Sequence, residues 1–249
     1  MENNEPSLEN RVSKLSTGQR ALLDAIIDTF HPPVESWRNP DSNFVTADFL
    51  EAFGDVLKLH HTMSYDYLDK HRFEAAMERV YKALGKKVSR PGMCNPGHDL
   101  TVDDIPWSLK TQGDKSIRVE LLHISKFMEL GKGQWIDEKD LPGLRDRFLH
   151  HMRSYDRIFQ LRYFRNRPNC SAHFYELVEI PKALFQQAEN GQFEFMSKST
   201  QNPKPGYCTV RDQLGTVSFK LYFDGGTERK LQIKELRKSL CTVHATWEF

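Results

Sequence analysis

The chain predicts an α/β fold: a mixed central sheet flanked by helices, with a helical N-terminal part and extra C-terminal strands. Three observations carry that expectation. The first third holds amphipathic runs at helical spacing. The stretch from His98 to Gln112 alternates apolar and polar residues about a turn signal, the pattern of a hairpin. From Phe193 onward, β-branched and aromatic residues recur between turn residues.

Residues 1–14 are polar and expected to be loosely held. Leu15 to Phe30 reads as a helix with Leu22, Leu23, Ile26 and Ile27 as its stripe, and His31-Pro32-Pro33 stops it. After the turn-rich link Asn39-Pro40-Asp41-Ser42-Asn43, Thr46 is placed to cap a helix on which Phe49, Phe53, Val56 and Leu57 share a face. A third helix spans about His71 to Leu84, with Phe73, Ala76, Met77, Val80 and Leu84 on one side, and Gly85 ends it. Residues 1–88 therefore form a helical region packed on a core of 89–249, together one compact domain.

A loop, 89–97, leads into the hairpin. A two-residue turn at Asp103-Asp104 suits aspartate, which tolerates left-handed backbone geometry. It sets Val102 opposite Ile105, Leu100 opposite Trp107 and Asp99 opposite Ser108. Leu100, Val102, Ile105, Trp107 and Leu109 then share an apolar face, and Asp99, Thr101, Ser108, Lys110 and Gln112 share the other. Pro106 argues mildly against a central strand. A helix from about Ser116 to Leu130 follows, with Ile117, Leu121, Ile124 and Met128 as its buried stripe and Glu120 near its start. Past a Gly131–Trp135 loop come a helix near Leu144–Arg153 and strands at Tyr155–Arg165 and Ala172–Ile180. Pro181 then opens a helix over Lys182–Ala188. Tyr207–Arg211, Thr216–Phe223, Lys230–Lys234 and Cys241–Phe249 read as strands, with Asp224-Gly225-Gly226 as a turn. The polar segment 197–206 between them is expected to be flexible.

Charged residues make up 28% of the chain, yet the net charge is +1, which excludes a basic tail-type binder. No apolar run approaches a membrane span, and the start, Met1-Glu2-Asn3-Asn4-Glu5, is polar and acidic, so no signal peptide is expected. Cys94, Cys170, Cys208 and Cys241 are scattered, as in an intracellular protein with reduced thiols. Cys94 with His98 and Cys170 with His173 would supply zinc ligands only if the pairs met, and neither has a finger spacing. The adjacent pairs His60-His61 and His150-His151 read as surface histidines.

The polar face of the hairpin carries chemistry. A carboxylate with nearby oxygens holds Mg²⁺, which takes one or two carboxylates and keeps several waters. A lysine beside such a metal orients or deprotonates water, or neutralises charge building on a phosphate, as metal-assisted phosphodiester hydrolysis requires. An ordinary solvated hairpin has the same alternation.

On Asp99-x8-Ser108-x-Lys110 the stretch resembles the PD-(D/E)xK nuclease superfamily, to which most type II restriction endonucleases belong. Asp99 matches the first motif carboxylate and Lys110 the motif lysine. Ser108 stands where Glu or Asp is usual, as in a Ser-x-Lys subset whose missing carboxylate comes from the following helix. The resemblance covers the motif and the layout of roughly residues 70–180. It implies a restriction-endonuclease-like fold and a Mg²⁺-dependent cut of double-stranded DNA at a short sequence by a homodimer in a prokaryotic cytoplasm. Asp99 and Glu120 would ligate the metal, Ser108 would hold a water or a scaffold bond, and Lys110 would position the attacking water. Glu74 and Glu78 are alternatives to Glu120. Gln112, Lys115, Lys126, Arg162, Lys198 and Lys204 are the residues expected to reach DNA. The rival expectations are a non-catalytic nucleic-acid-binding or interaction module on the same fold, and a repair or junction nuclease.

Overall fold

A computed structural model describes residues 7–92, 97–113, 117–132, 135–165 and 173–249. The chain opens with helices α1 (Leu8–Ser13) and α2 (Thr17–Phe30) and a short strand β1 (Glu35–Arg38). Helices α3 (Ala47–Met63) and α4 (Lys70–Ala83) follow, then strands β2 (Val88–Ser89), β3 (Leu100–Val102), β4 (Ile105–Gln112) and β5 (Leu121–Glu129). Helix α5 (Leu141–His151) precedes β6 (Arg157–Arg165) and β7 (His173–Glu179), and α6 (Lys182–Gln186) precedes β8 (Gln192–Phe195). The last strands are β9 (Gly206–Arg211), β10 (Val217–Asp224), β11 (Lys230–Arg237) and β12 (Thr242–Glu248). Seven strands form a mixed sheet in the order β1-β12-β7-β6-β4-β3-β2, and five form a second sheet, β5-β11-β10-β9-β8. This is the α/β architecture the sequence predicts, with two sheets where one was expected.

Local sequence explains the helix starts. The Phe49 N–H donates to the Thr46 hydroxyl (3.1 Å), and the Arg72 N–H donates to Asp69 (2.9 Å), so both helices begin on a side-chain cap. Phe49, Phe53 and Leu57 of α3 and Phe73, Met77 and Val80 of α4 press on one face of the seven-stranded sheet, against Leu100, Trp107 and Leu109. Those apolar faces drive the packing, since each fully buried side chain of this size contributes about 1.5–3 kcal/mol. Helix α2 departs from expectation: its Leu22 and Ile27 are 50% and 46% exposed, and no residue of it is fully buried.

The hairpin forms in the expected register, with Leu100 paired to Trp107 and Val102 to Ile105. Asp103 and Asp104 adopt φ of 48° and 67°, the geometry of a two-residue hairpin turn. Ile105, at the turn, is 41% exposed, while the other apolar-face residues are buried. Pro106 fits because it pairs with Thr101 at a site whose backbone groups point away from β3. On that side its carbonyl accepts from Asp156, just before the parallel pairing with β6 begins at Trp107–Arg157.

The expected helix over 116–130 is strand β5, an edge of the second sheet paired with β11. Its register against β11 shifts twice. These bulges bury Leu122, Ile124, Phe127 and Leu130, spaced by two and three positions; of the expected stripe only Ile124 is among them, and Ile117, Leu121 and Met128 are half-buried. Segment 197–206 is tied down. The Trp135 indole N–H donates to the Lys204 carbonyl (2.6 Å), the Met196 N–H to Pro205 (3.0 Å), and Pro203 and Pro205 are buried. Gly225 lets the two backbones touch: a β-carbon there would lie 1.6 Å from the Pro203 carbonyl oxygen.

Candidate active site

The second face of the central sheet is also covered, and a polar stripe crosses it beside the apolar Ile158 and Val178. Ser108, Lys110 and Gln112 of β4, Gln160 and Arg162 of β6 and Glu176 of β7 are all buried on it. The parallel register sets Lys110 beside Gln160 and Gln112 beside Arg162. Strand β5 lies over this stripe. The Gln160 side chain donates to the His123 carbonyl (2.7 Å), and the His123 N–H donates to Gln112 (3.3 Å).

At one end of the stripe, β4 and β5 part and a cleft of about 940 Å³ opens, lined by Lys70, Asp99, Lys110, Lys126, Arg147 and His151 among others. Asp99 organises its floor. One carboxylate oxygen, Oδ2, accepts the Leu109 N–H (2.7 Å) and the Ser108 hydroxyl (3.2 Å). The other, Oδ1, accepts from the Lys70 ammonium (2.7 Å). The Lys110 ammonium stands 3.9 Å from Oδ2. Burial works to raise the Asp99 pKa, but Lys110, Lys70 and these hydrogen bonds outweigh it and hold the carboxyl below its ordinary value.

Lys110 responds the other way. Burial pushes its pKa down to about 8, and repulsion from Lys70 adds to this, while Asp99 and Glu74 work against it. Its ammonium lies over the Phe127 ring, 5.3 Å from the centroid. Lys70 and Glu74 come from successive turns of α4, with Lys70 Nζ 3.5 Å from Glu74 Oε1. The Glu74 side chain is only 13% exposed. His151, in the last turn of α5, closes the far wall. Burial first, then the Lys110 charge, bring its pKa to about 4, so its imidazole is neutral at pH 7.

The structure thus brings Asp99, Ser108 and Lys110 together as the sequence predicts. It does not bring Glu120 to them. Glu120 precedes β5 at the end of that strand remote from the cleft, where its carbonyl accepts from Lys238 and its charge acts on Arg162. Glu78 turns away to Lys82 (2.7 Å) and Arg90 (2.5 Å). The second carboxylate of the cluster is Glu74. Sequence reasoning missed Lys70 and His151. The Lys70-x3-Glu74 spacing was the available signal for Lys70, and the His151 position followed only from where α5 docks.

The DNA-contact expectations divide. Arg162 is fully buried and spends its donors inside the protein: on Glu176, on Gln112 (3.3 Å) and on the carbonyls of Arg118 (2.6 Å), Val119 (3.2 Å) and Leu121 (3.0 Å). It and Gln112 are buried framework, unavailable to a duplex. Lys126 lines the cleft and pairs with Glu129 (2.8 Å) and Glu228. Lys198 and Lys204 are exposed, with the Lys204 ammonium donating to the Ser197 carbonyl. Lys115 lies outside the described residues, as do Cys94 and Cys170 of the zinc reading. His98 and His173 bond instead to Thr101 (2.9 Å) and Tyr163 (2.9 Å). His61 is no surface histidine either: it bonds Tyr175 (2.7 Å) and stacks on His173.

Among the described residues no group of three or more His, Cys, Asp or Glu side chains is placed to hold a metal ion. The donor set at Asp99 and Glu74 nonetheless fits Mg²⁺, which takes one or two carboxylates and fills its remaining positions with water and substrate oxygens. A cation, the Lys70 ammonium, already joins the two. No helix among the described residues is long and apolar enough to cross a membrane.

A family model described as SmaI, type II site-specific deoxyribonuclease, matches residues 8–249. The type II restriction enzyme SmaI of Serratia marcescens is 44% identical over 216 residues, 86% of this chain and 85% of that protein. No solved structure matches the chain.

Proposed function

The chain belongs to the SmaI family of type II site-specific deoxyribonucleases. On that premise we propose that it cuts double-stranded DNA at a short specific sequence in a Mg²⁺-dependent reaction centred on Asp99, Ser108 and Lys110. One observation carries the reading: a buried lysine and an ionised aspartate share the floor of a basic cleft, at the spacing the hairpin dictates. The Ser108-x-Lys110 order and the sheet layout support membership of the PD-(D/E)xK superfamily in its serine variant, with Glu74 rather than Glu120 as the second carboxylate.

Asp99 and Glu74 would hold the metal, which when bound supplies Lewis-acid stabilisation of charge on a phosphoryl oxygen. The chain's own residues do the rest. Ser108 and the Leu109 N–H fix Oδ2 of Asp99, so the carboxylate keeps one orientation. Lys110, with its pKa near 8, is neutral in about one molecule in ten at pH 7. It accepts a proton from the attacking water at Nζ as the new P–O bond forms and the bond to the 3′ oxygen breaks, and that oxygen leaves as a hydroxyl by taking a proton from solvent water. Arg147, Lys126 and Lys70 on the walls meet the DNA phosphates. A two-fold recognition sequence is matched by a homodimer. A restriction enzyme of this kind works in a bacterial cytoplasm.

Long plasmid DNA of mixed sequence with Mg²⁺ tests the reading. Discrete, reproducible fragments are expected from the wild type. Lys110→Ala should lose cleavage by at least about a hundredfold, the ordinary size of a general-base contribution, while gel-shift affinity stays within a few-fold. Smeared or structure-dependent products, or a Lys110→Ala variant that cuts normally, would refute it.

A further inference from the structure

Lys70 occupies the place between the two carboxylates where the reading above puts a divalent cation. We propose that Lys70 is a displaceable counter-ion: it holds the Asp99–Glu74 pair in the free protein and must leave those oxygens before a metal ion binds. The inference rests on the assignment of Asp99 and Glu74 to the metal.

Four features of the cluster point the same way. The Lys70 ammonium lies 2.7 Å from Asp99 Oδ1 and 3.5 Å from Glu74 Oε1, so it bridges both. Asp99 Oδ2 is committed to the Leu109 N–H and Ser108, which leaves Oδ1, the oxygen Lys70 holds, as the one able to change partner. Charge supplies the third. Two carboxylates face two ammonium groups, Lys70 and Lys110, and the sum is neutral. A divalent cation entering with both lysines in place meets repulsion at contact distance and competes for the same oxygens.

The fourth feature decides which lysine yields. The Lys110 side chain is 8% exposed and packed over Phe127, whereas that of Lys70 is 41% exposed at the cleft mouth. Lys70 can swing into solvent or onto a phosphate with little reorganisation. Lys110 cannot. Lys110 is also a deeply buried ammonium aimed into the cleft, 3.9 Å from the Asp99 oxygen, beyond hydrogen-bond range. That is an incomplete environment, of the kind an incoming phosphate and its water complete. The free protein therefore binds divalent cations weakly. A DNA phosphate in the cleft, by giving Lys70 a new partner, frees the carboxylates, and metal and DNA binding become linked.

The experiment is a Mn²⁺ titration of the DNA-free full chain at neutral pH, followed by isothermal calorimetry and by the electron-spin signal of free Mn²⁺. Lys70→Met keeps the aliphatic stem and removes the competitor. It should bind Mn²⁺ about tenfold more tightly than the wild type, the scale set by one partly buried ion pair. Asp99→Asn in either background should abolish that binding. Lys70→Gln replaces Lys70→Met if circular dichroism shows the latter misfolded. Binding that Asp99→Asn removes, but that is equal or weaker in the Lys70 variants, overturns the counter-ion role and leaves the metal site standing. Absence of any Asp99-dependent binding, in all variants, overturns the metal site and the counter-ion role with it.

Discussion

Removing the carboxylate of Glu176 should destabilise the protein without touching its DNA-binding surface. Arg162 and Glu176 have side-chain exposures of 0% and 4%, and Lys238 completes the group at 3.2 Å from Glu176. Breaking a buried ion pair from one side typically costs 3–5 kcal/mol, because the other charge stays buried. In Glu176→Ala, Lys238 is 19% exposed and can turn to water. Arg162 cannot move, but it keeps its bonds to three carbonyls and Gln112, which places the loss at the low end, about 3 kcal/mol. For a chain of this size that lowers Tm by about 6–12 °C. Thermal unfolding followed by circular dichroism reads it directly. The double variant Arg162→Met with Glu176→Leu should not recover the loss, since the carbonyls of Arg118, Val119 and Leu121 and the Gln112 side chain then lose their buried donor. Below the transition, DNA affinity and its salt dependence should match the wild type. A melting point within 2 °C of wild type, or a salt slope reduced by about one phosphate contact in Arg162→Met, would refute this account and return Arg162 to the DNA.

Two further outcomes concern the cleft. Glu74→Gln should lose cleavage at saturating Mg²⁺ while Glu120→Gln cuts like the wild type in the same plasmid assay; the reverse result reassigns the second carboxylate. The cleavage rate under single-turnover conditions should rise from pH 7 to about 9 and then level. The reason is that burial lowers the Lys110 pKa to about 8, so the proton-accepting amine is gained as pH rises through that value; a profile flat over this range removes Lys110 as the base.

Much of this was legible in the residues. The hairpin register followed from strict alternation and from two aspartates that accept positive φ, and with it came the meeting of Asp99, Ser108 and Lys110. The helices of the first third followed from Thr46, Gly85 and the phenylalanine spacing. What failed did so for identifiable reasons. Two register shifts in β5 erased its alternation, and Ile117, Leu121, Ile124 and Met128 fall at helical spacing. Glu120 was tied to that helix and went with it. Arg162 and Gln112 looked solvent-facing because alternation separates polar from apolar but does not say whether water or a second sheet covers the polar side. His151 joined the cleft through the docking of α5, a tertiary fact with no local trace, whereas Lys70 on α4 left one trace, its four-residue spacing from Glu74.

The place of β12 has a kinetic meaning. It is inserted between β1 and β7, and the Asn39 side chain donates to the Val243 carbonyl across 204 positions of chain. Pairings so distant in sequence are slow to form, because the entropy of closing the loop is lost before the contacts reward it. The β1 edge has no neighbour until β12 has been made and threaded beside β7. Completion of the sheet that carries Asp99, Ser108 and Lys110 therefore waits until β12 has been made. A fragment stopped short of Thr242 lacks the strand that joins β1 to β7, and its sheet is left without that edge.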